Sequence, residues 1–285
     1  MEYKEHRGLS PSSLALFIGC NRKYFYKKVA KFQPDPDVED DQEALQVGKA
    51  FHQILEDTRH NLVGLAYATV EATVKTYDLL NPNHHGPMIF AMLAKYKAMH
   101  ALAGLKVLAC EHVVETEAFY GIVDVVLEDA AGGWWIGDMK TAATYSASLI
   151  PTLPRHPQLS LYAAHYKELA TALDLDPEKY LGCRYRLATK TKIRRKDDEA
   201  VGAFIKRCLA SVRCLDIVIP KDAMAPADAL GVHTAAAKFI AKHKKPEAYA
   251  QNYGNCMIYF RPCEFWSRCH GKCNSDMTTL ETIEP

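Results

Sequence analysis

Hydrophobic and polar positions along the chain follow helical periodicity in some segments and strand-like runs in others. Apolar residues recur every three or four positions, which predicts helices, at about 11–29, 43–60, 62–80, 86–103, 157–172, 197–217 and 226–243. Runs rich in β-branched and aromatic residues predict strands at about 106–119, 121–128, 134–140 and 180–189. Helices precede a sheet that has intervening helices, so the pattern predicts an α/β protein with a central mixed sheet.

A β-hairpin is the most informative of these predicted elements. The strand-like runs 121–128 and 134–140 flank the turn-forming sequence Asp-Ala-Ala-Gly-Gly. If the turn is centred on residue 131, Asp124 and Asp138 face each other with Cβ atoms about 5 Å apart. Lys140 follows Asp138 by two positions and therefore projects from the same face.

Two facing carboxylates repel each other unless a cation lies between them. The alternative is that both acids face water, but the apolar residues around them favour a sheet covered on both faces. Mg²⁺ and Mn²⁺ prefer oxygen ligands and retain bound waters, so two carboxylates form a partial site that water and a phosphate complete. A nearby lysine can orient the attacking water or stabilise developing charge, as phosphodiester hydrolysis requires.

Two further pairs lie four residues apart on predicted helices, so that each pair shares a helix face. The first pair is His52 and Glu56, and the second is Gln158 and Tyr162. Each pair alone is equally compatible with an ordinary polar helix edge or a core position. The three glutamates before the hairpin, Glu111, Glu115 and Glu117, can each supply another acidic group, and the sequence does not choose among them.

In combination these motifs resemble the RecB-like branch of the PD-(D/E)xK nuclease superfamily. Its pattern is Gly-x-x-x-His on a helix, Gly-x-x-Asp and (Asp/Glu)-x-Lys on strands, and Gln-x-x-x-Tyr on a helix. The chain carries these motifs in that order, at Gly48 and His52, Gly121 and Asp124, Asp138 and Lys140, and Gln158 and Tyr162. The resemblance implies a restriction-endonuclease-like fold in which residues 1–285 form a single nuclease domain with a helical insertion at 61–104.

The resemblance also implies a role for each motif residue. His52, Asp124 and Asp138 would ligate one or two Mg²⁺ or Mn²⁺ ions, together with the main-chain carbonyl of Met139. Lys140 would be the catalytic lysine. Gln158 and Tyr162 would support the site or contact DNA.

The chain contains nine cysteines, and its charged N-terminus has no apolar run behind it. We therefore expect no signal peptide, a reducing cytoplasm and no disulfide framework. Cys110, Cys183, Cys208 and Cys214 lie in apolar segments and are expected in the core. The C-terminal cysteines lack the Cys-x-x-Cys knuckles typical of zinc sites, and four thiolates commonly hold a [4Fe–4S] cluster.

A subset of RecB-like nucleases, including AddB-type subunits and CRISPR-associated exonucleases, carries one N-terminal and three C-terminal cysteines around such a cluster. The resemblance implies a cluster region of residue 20 plus 256–273, with the ligands Cys20, Cys256, Cys263 and Cys269. The gap after Cys256 is longer than the two residues common in that subset, so Cys273 could replace Cys256 as a ligand. The cysteine spacing is also compatible with a zinc site, or with no bound metal at all.

Basic residues indicate where DNA could lie. The net charge of +1 produces no global field, but a local basic segment at 184–195 could contact phosphates without reading sequence. The alternative is a solvated charged face. The residues expected to bind DNA are Arg184, Arg186, Lys190, Lys192, Arg194 and Arg195.

These patterns together predict a metal-dependent deoxyribonuclease, acting as an exonuclease on DNA ends or single strands in recombination, repair or phage DNA processing. Two different functions remain open: a non-catalytic DNA-binding subunit of a recombination or CRISPR-adaptation complex, and a zinc-stapled scaffold. No uninterrupted apolar window approaches eighteen residues, so we expect no membrane span. The expected location is the cytoplasm of a bacterium, an archaeon or a phage-infected host, and a homo-oligomer or a recombination-complex partner is left open.

Overall fold

The computed structural model describes residues 8–33, 35, 42–258 and 261–270. They divide into two compact units. The larger unit contains residues 8–11 and 42–234, and the smaller unit contains residues 12–35 together with those from 235 onward.

A five-stranded mixed sheet forms the centre of the larger unit. Its strands are adjacent in chain order, β3 and β4 are parallel, and the other neighbouring pairs are antiparallel. This confirms the predicted mixed α/β sheet. The strands are β1 (Lys106–Glu115), β2 (Tyr120–Glu128), β3 (Trp134–Ala142), β4 (Tyr180–Thr189) and β5 (Cys214–Pro220).

Ten α-helices occur among the described residues. They are α1 (Pro11–Gly19), α2 (Asn21–Tyr24), α3 (Gln42–Asp57), α4 (Tyr67–Val74), α5 (Pro82–Ala103), α6 (Pro157–Ala164), α7 (Tyr166–Ala172), α8 (Val201–Ser211), α9 (Pro226–Lys242) and α10 (Trp266–His270). None of the helices in these described ranges combines the length and apolarity needed to cross a membrane.

The main hydrophobic core of the larger unit lies between one sheet face and the helices α3, α4, α5 and α8. The apolar stripe predicted for α3 is buried there, with Phe51 and Ile54 at most 1% exposed. Met139 of β3 and Ala188 of β4 supply the sheet side of this core. Since side chains alternate along a strand, Asp138 and Lys140 project from the opposite face, and α6 and α7 also pack against the sheet.

The hairpin adopts the register expected for a turn centred on residue 131. The first and last pairs of its ladder are Glu128 with Trp134 and Val125 with Gly137. The turn closes because the Asp129 carboxylate accepts hydrogen bonds from the following backbone N–H groups, including that of Gly133 at 2.9 Å. Asp124 and Asp138 therefore occupy the next facing positions beyond the last pair of the ladder.

Three predicted helices differ from the observed ones. The segment 197–217 is not one helix, because α8 ends at Ser211 and the chain then forms β5. The β-branched residues near its end pair with β4, and this tertiary pairing overrides the local helical pattern. The helix predicted at 62–80 is shortened to α4, and the helix predicted at 86–103 begins earlier, at Pro82, because Asn81 caps it by accepting from the N–H of Asn83.

The smaller unit joins an N-terminal segment to a C-terminal one. Asn255 donates from Nδ2 to the carbonyl of Gly19 at 2.5 Å, and Arg22 donates from Nε to the carbonyl of Tyr249 at 2.7 Å. The ring of Tyr249 also lies 4.9 Å from that of Phe25. Two short strands, β6 (Met257–Ile258) and β7 (Arg261–Pro262), form an antiparallel pair beside these contacts.

Candidate active site

The two acids of the hairpin and Lys140 lie together where the β2–β3 ladder ends. Asp138 is fully buried, and its Oδ1 accepts a 2.7 Å hydrogen bond from Nζ of Lys140. Its other oxygen, Oδ2, has no hydrogen-bond partner within the described parts of the chain. Asp124 Oδ2 accepts a 2.6 Å hydrogen bond from the backbone N–H of Met139. The sequence-predicted trio therefore converges, and one buried carboxylate oxygen remains available for a cation.

Burial and mutual repulsion make these carboxylates hard to ionise. Burial and the charge of Asp124 raise the pKa of Asp138, Lys140 lowers it, and together they place it at about 6. Burial also raises the pKa of Asp124, against Lys140 and the Met139 N–H. Burial disfavours the ammonium of Lys140, but Asp138 and Asp124 outweigh it and raise the pKa of this lysine. Lys140 is therefore a charged hydrogen-bond donor at neutral pH rather than a base.

Helix α3 brings His52 to the same place because a glycine lets it approach β3 closely. A Cβ atom at Gly48 would lie 2.9 Å from Oγ1 of Thr141. Burial and the charge of Lys140 lower the pKa of His52 to about 4, against the opposing charge of Asp138. The imidazole is therefore neutral near pH 7, which is the form that ligates metals.

Gln158 and Tyr162 of α6 hold the backbone of β2. The Tyr162 hydroxyl donates to the carbonyl of Ile122 at 2.5 Å and accepts from Nε2 of Gln158 at 3.3 Å. The tyrosine ring fits here because residue 121 is glycine, where a Cβ atom would lie 2.8 Å from Cε1 of Tyr162. The Gly-x-x-Asp and Gln-x-x-x-Tyr motifs therefore act together to fix the strand that carries Asp124.

The structure distinguishes Glu111 from the other two glutamates that precede the hairpin. Its backbone has a positive φ of 46°. In the β1–β2 ladder it lies between the pairs Cys110–Val125 and His112–Val123 and is not itself paired. Burial and the charges of Asp124 and Glu56 raise the pKa of Glu111 to about 7, against the opposing charge of Lys140. Glu111 therefore belongs to the electrostatic environment of Asp124.

His156 and Tyr185 were not predicted from the sequence, but both lie beside Asp138. Burial lowers the pKa of His156, and the charge of Asp138 opposes this effect. Its Nδ1 is buried without a partner among the described residues. Burial and Asp138 raise the pKa of Tyr185. A single histidine before Pro157 and a tyrosine inside a buried strand carry no motif, so only the fold brings them to the site.

Arg184 and Arg186 do not form the surface expected for DNA contact. Arg184 makes a bidentate pair with Asp216 at 3.0 and 2.9 Å. The side chain of Arg186 is fully buried and binds the same carboxylate at 3.1 Å. Both guanidinium groups are thus committed to an internal ion pair with β5, a strand that the sequence pattern missed.

Arg186 also begins a buried polar network that reaches the strand of Asp124. One of its nitrogens donates to the hydroxyl of Tyr96 at 3.0 Å, and that hydroxyl lies 2.6 Å from Nδ1 of His60. The ring of His60 in turn hydrogen-bonds to the backbone of Asp124. The network supports the hairpin that carries Asp124 and Asp138 from the side of α5.

The other basic residues of the predicted DNA surface divide into two groups. Lys190 donates to the carbonyl of Ala44 at 2.6 Å, and Arg195 donates twice to the carbonyl of Glu199. Lys192 and Arg194 are exposed. They follow Thr189, the residue of β4 that pairs with the end of β3 at Ala142. Their segment therefore begins at the sheet edge where the Lys140 strand ends.

The four predicted cluster cysteines come together in the smaller unit. Burial raises the pKa of Cys256, and the thiols of Cys20 and Cys263 raise it further. Burial likewise raises the pKa of Cys269, with contributions of the same sign from the other three. The backbone N–H of Cys263 donates to the carbonyl of Cys256 at 2.7 Å. Cys273, the possible replacement for Cys256, lies outside the described residues.

In the described part of the chain, neither the side chains at the hairpin nor the four cysteines form a closed coordination shell. Among the described residues, no three His, Cys, Asp or Glu side chains lie near enough to hold a metal ion. At the hairpin, one oxygen of each aspartate is bound to an N–H donor, and the other oxygen of Asp138 has no partner in the described structure.

Comparison with known proteins agrees with this geometry. No curated protein matches the chain. The family model of the PD-(D/E)XK nuclease superfamily matches residues 8–270, which include both aspartates, Lys140 and the five-stranded sheet. The chain belongs to the PD-(D/E)XK nuclease superfamily.

Proposed function

We propose that the protein is a metal-dependent deoxyribonuclease that removes nucleotides from DNA ends or single strands, in recombination, repair or phage DNA processing. The observation that carries this proposal is the buried carboxylate of Asp138. One of its oxygens binds Lys140, the other has no partner in the described structure, and Asp124 lies beside it. Burying an acid in this way is costly unless a cation compensates it.

The donor set fits a hard divalent cation such as Mg²⁺ or Mn²⁺. The unpartnered oxygen of Asp138, the carboxylate of Asp124, the carbonyl of Met139 and the neutral ring of His52 are oxygen and nitrogen donors of the kind that these ions accept. These residues would hold the ion. When bound, the ion polarises a phosphoryl oxygen and lowers the pKa of a water molecule.

The chain's own residues contribute positioning and charge. Lys140 is one-third exposed, so its ammonium can reach a phosphate while it remains bound to Asp138. It can donate to the attacking water or to an oxygen on which negative charge develops. Gln158 and Tyr162 act indirectly, because they hold the backbone of β2 at Ile122.

The exposed cations of the segment after β4 support a binding path for the DNA strand on which the protein does not recognise base sequence. Lys192 and Arg194 can neutralise phosphates, which supplies affinity without base selectivity.

Digestion of end-labelled DNA by anaerobically purified protein in Mn²⁺ tests the proposal. Lys140→Ala should reduce cleavage at least a hundredfold, because it removes the donor to the developing charge, while DNA binding survives. Lys206→Ala, which changes an exposed lysine on α8, is the matched control and should cleave normally. Full cleavage by Lys140→Ala contradicts the assignment. DNA binding without any EDTA-sensitive cleavage in the unmodified protein identifies a non-catalytic subunit instead.

We further propose that Cys20, Cys256, Cys263 and Cys269 hold a [4Fe–4S] cluster. Four thiols from separate segments interact electrostatically in the smaller unit, and a sulfur-only donor set suits iron–sulfur or zinc. Cys20 lies far from the other three cysteines in sequence. The cluster would therefore crosslink distant parts of the chain and have a structural role. Iron and acid-labile sulfide in equal amounts, with visible absorbance, support the cluster; stoichiometric zinc in a colourless protein contradicts it.

A further inference from the structure

A cavity of about 690 Å³ lies between the end of α3, the helix α5 and the edge strand β1. This volume is within the usual range for small-ligand sites. Its walls carry three groups that can bind an anion: Arg59, Lys97 and His100. His60 also lines the cavity, but its ring is already bonded to the Tyr96 hydroxyl and to the backbone of Asp124. None of the described residues that line it is acidic.

Charges of both signs lie behind the wall, because Arg186 is paired with Asp216, and burial together with the charges of Glu111 and Glu56 raises the pKa of Cys110 in the lining. Buried Arg186 donates from one nitrogen towards Nδ1 of His100 at 3.0 Å. Burial, and then Arg186, lower the pKa of His60 to about 3 and lower that of His100. The two rings are therefore neutral at neutral pH, and the positive charge of the lining comes from Arg59 and Lys97.

The cavity is connected to the proposed catalytic hairpin by direct contacts. Cys110, which lines it, pairs with Val125 of β2, the neighbour of Asp124. His60 hydrogen-bonds to the backbone of Asp124 itself. An anion held in the cavity would therefore lie beside the strand that carries a catalytic aspartate.

The backbone places Arg59 and His60 at the cavity in an unusual way. Both residues have positive φ values, 47° and 59°, in the left-handed region that side chains other than glycine rarely adopt. The N–H of His60 bonds back to the carbonyl of Leu55 at 2.7 Å, which reverses the chain after α3. This strained conformation places the side chains of Arg59 and His60 in the cavity wall.

An apolar surface completes the lining. Val63 lines the cavity and is 79% exposed, and Ala101 and Val107 lie on the same wall. A sugar or base can pack against these side chains while a phosphate contacts the basic groups. A free inorganic anion would leave them uncovered, so the combination suits a nucleotide.

We propose that this cavity binds the phosphate-bearing terminal nucleotide of a DNA strand whose backbone passes the hairpin acids. The proposal rests on the proposed nuclease function for the identity of the strand. It gives the enzyme a means to recognise DNA ends, because an internal nucleotide has no terminal phosphate to place between Arg59 and Lys97.

Fluorescence anisotropy of a short, internally labelled single-stranded oligonucleotide tests the proposal in EDTA, where cleavage is blocked. Three forms are compared: one with a 5′-phosphate, one with a 3′-phosphate, and one with hydroxyl groups at both ends. The unmodified protein should bind one of the phosphorylated forms about tenfold more tightly than the unphosphorylated form. The preferred form also reports which end the cavity accepts.

The double variant Arg59→Gln/Lys97→Gln should lose this preference while its thermal melting stays unchanged. The control Lys206→Gln/Lys238→Gln removes the same charge from exposed positions elsewhere and should retain it. Equal binding of all three oligonucleotides by the unmodified protein overturns the proposal, and so does a preference that survives in the cavity variant. Because binding is measured without metal, the end preference stands or falls independently of whether the protein cleaves DNA.

Discussion

Single side chains in this protein take their chemical roles from electrostatic partners that are distant in sequence. Lys140 remains a charged donor because two carboxylates surround it, although burial alone would favour its neutral form. Asp138 remains difficult to ionise because burial and Asp124 together outweigh Lys140. These opposed effects are typical of functional sites, where burial and like charges shift pKa values.

Glu111 allows a pH-dependent prediction. Its folded pKa of about 7 exceeds its ordinary value of 4.5, so the folded protein holds this proton more tightly than the unfolded chain. The free energy of unfolding should therefore fall as the pH rises between about 4.5 and 7. In EDTA, Glu111→Gln should raise it by about 1–2 kcal/mol at pH 8, after allowance for solvent screening, and have little effect at pH 5.

Urea unfolding at the two pH values measures this difference. The control is Glu117→Gln, which changes an exposed glutamate before β2. An equal effect of Glu111→Gln at pH 5 and pH 8 would show that its charge does not repel the site.

The basic residues show what could not be predicted at the residue scale. Composition correctly identified a basic segment but could not separate exposed cations from paired ones. Asp216, which binds Arg184 and Arg186, is about thirty residues away on a strand that the sequence pattern missed. The clustering of Asp124, Asp138 and Lys140 was predictable because these residues lie on one hairpin whose register follows from the turn.

At the level of elements, local signals were sufficient where they agreed with tertiary packing. The hairpin and the α3 stripe both have such signals, and both form. The segment after α8 has a helical sequence pattern, but it forms the strand β5 because it pairs with β4. The close packing of α3 against β3 depends on the absence of a side chain at Gly48, which is a weaker sequence signal.

The segment after β4 should contribute to DNA binding through its positive charges. Lys192→Ala/Arg194→Ala should weaken binding of single-stranded DNA and lower the slope of log affinity against log salt by about 1.4, since each phosphate contact contributes roughly 0.7. The control Lys206→Ala/Lys238→Ala removes the same number of exposed charges. Equal slopes in both double variants would place the DNA elsewhere.

At the scale of the whole molecule, the chain leaves the smaller unit and returns to it. Cys20 and the three C-terminal cysteines belong to that unit, and the larger unit is inserted between them in sequence. A cluster bound to all four would close a very long loop and thereby restrict the unfolded chain, as a crosslink does. Sequence spacing could indicate the ligands, and the acidic, proline-containing stretch 33–42 coincides with one boundary between the units. Another boundary lies inside α9, where no linker signal marks it.

Cys263→Ser tests this crosslink. It should abolish visible absorbance and reduce the free energy of unfolding by about 2–5 kcal/mol, by analogy with the loss of a native crosslink. Cys110→Ser changes a partly exposed cysteine of the larger unit and should leave the absorbance unchanged. A colourless Cys263→Ser protein with undiminished stability would refute the structural role.

The central claim is that the hairpin acids bind a divalent cation, and calorimetric titration with Mn²⁺ tests it most directly. The unmodified protein should bind Mn²⁺, and Asp138→Asn should bind it at least tenfold more weakly because the unpartnered oxygen loses its charge. The control Asp129→Asn, in the hairpin turn, can keep the turn hydrogen bonds and should match the unmodified protein. If the unmodified protein binds no Mn²⁺, or Asp138→Asn binds it equally well, the account is contradicted.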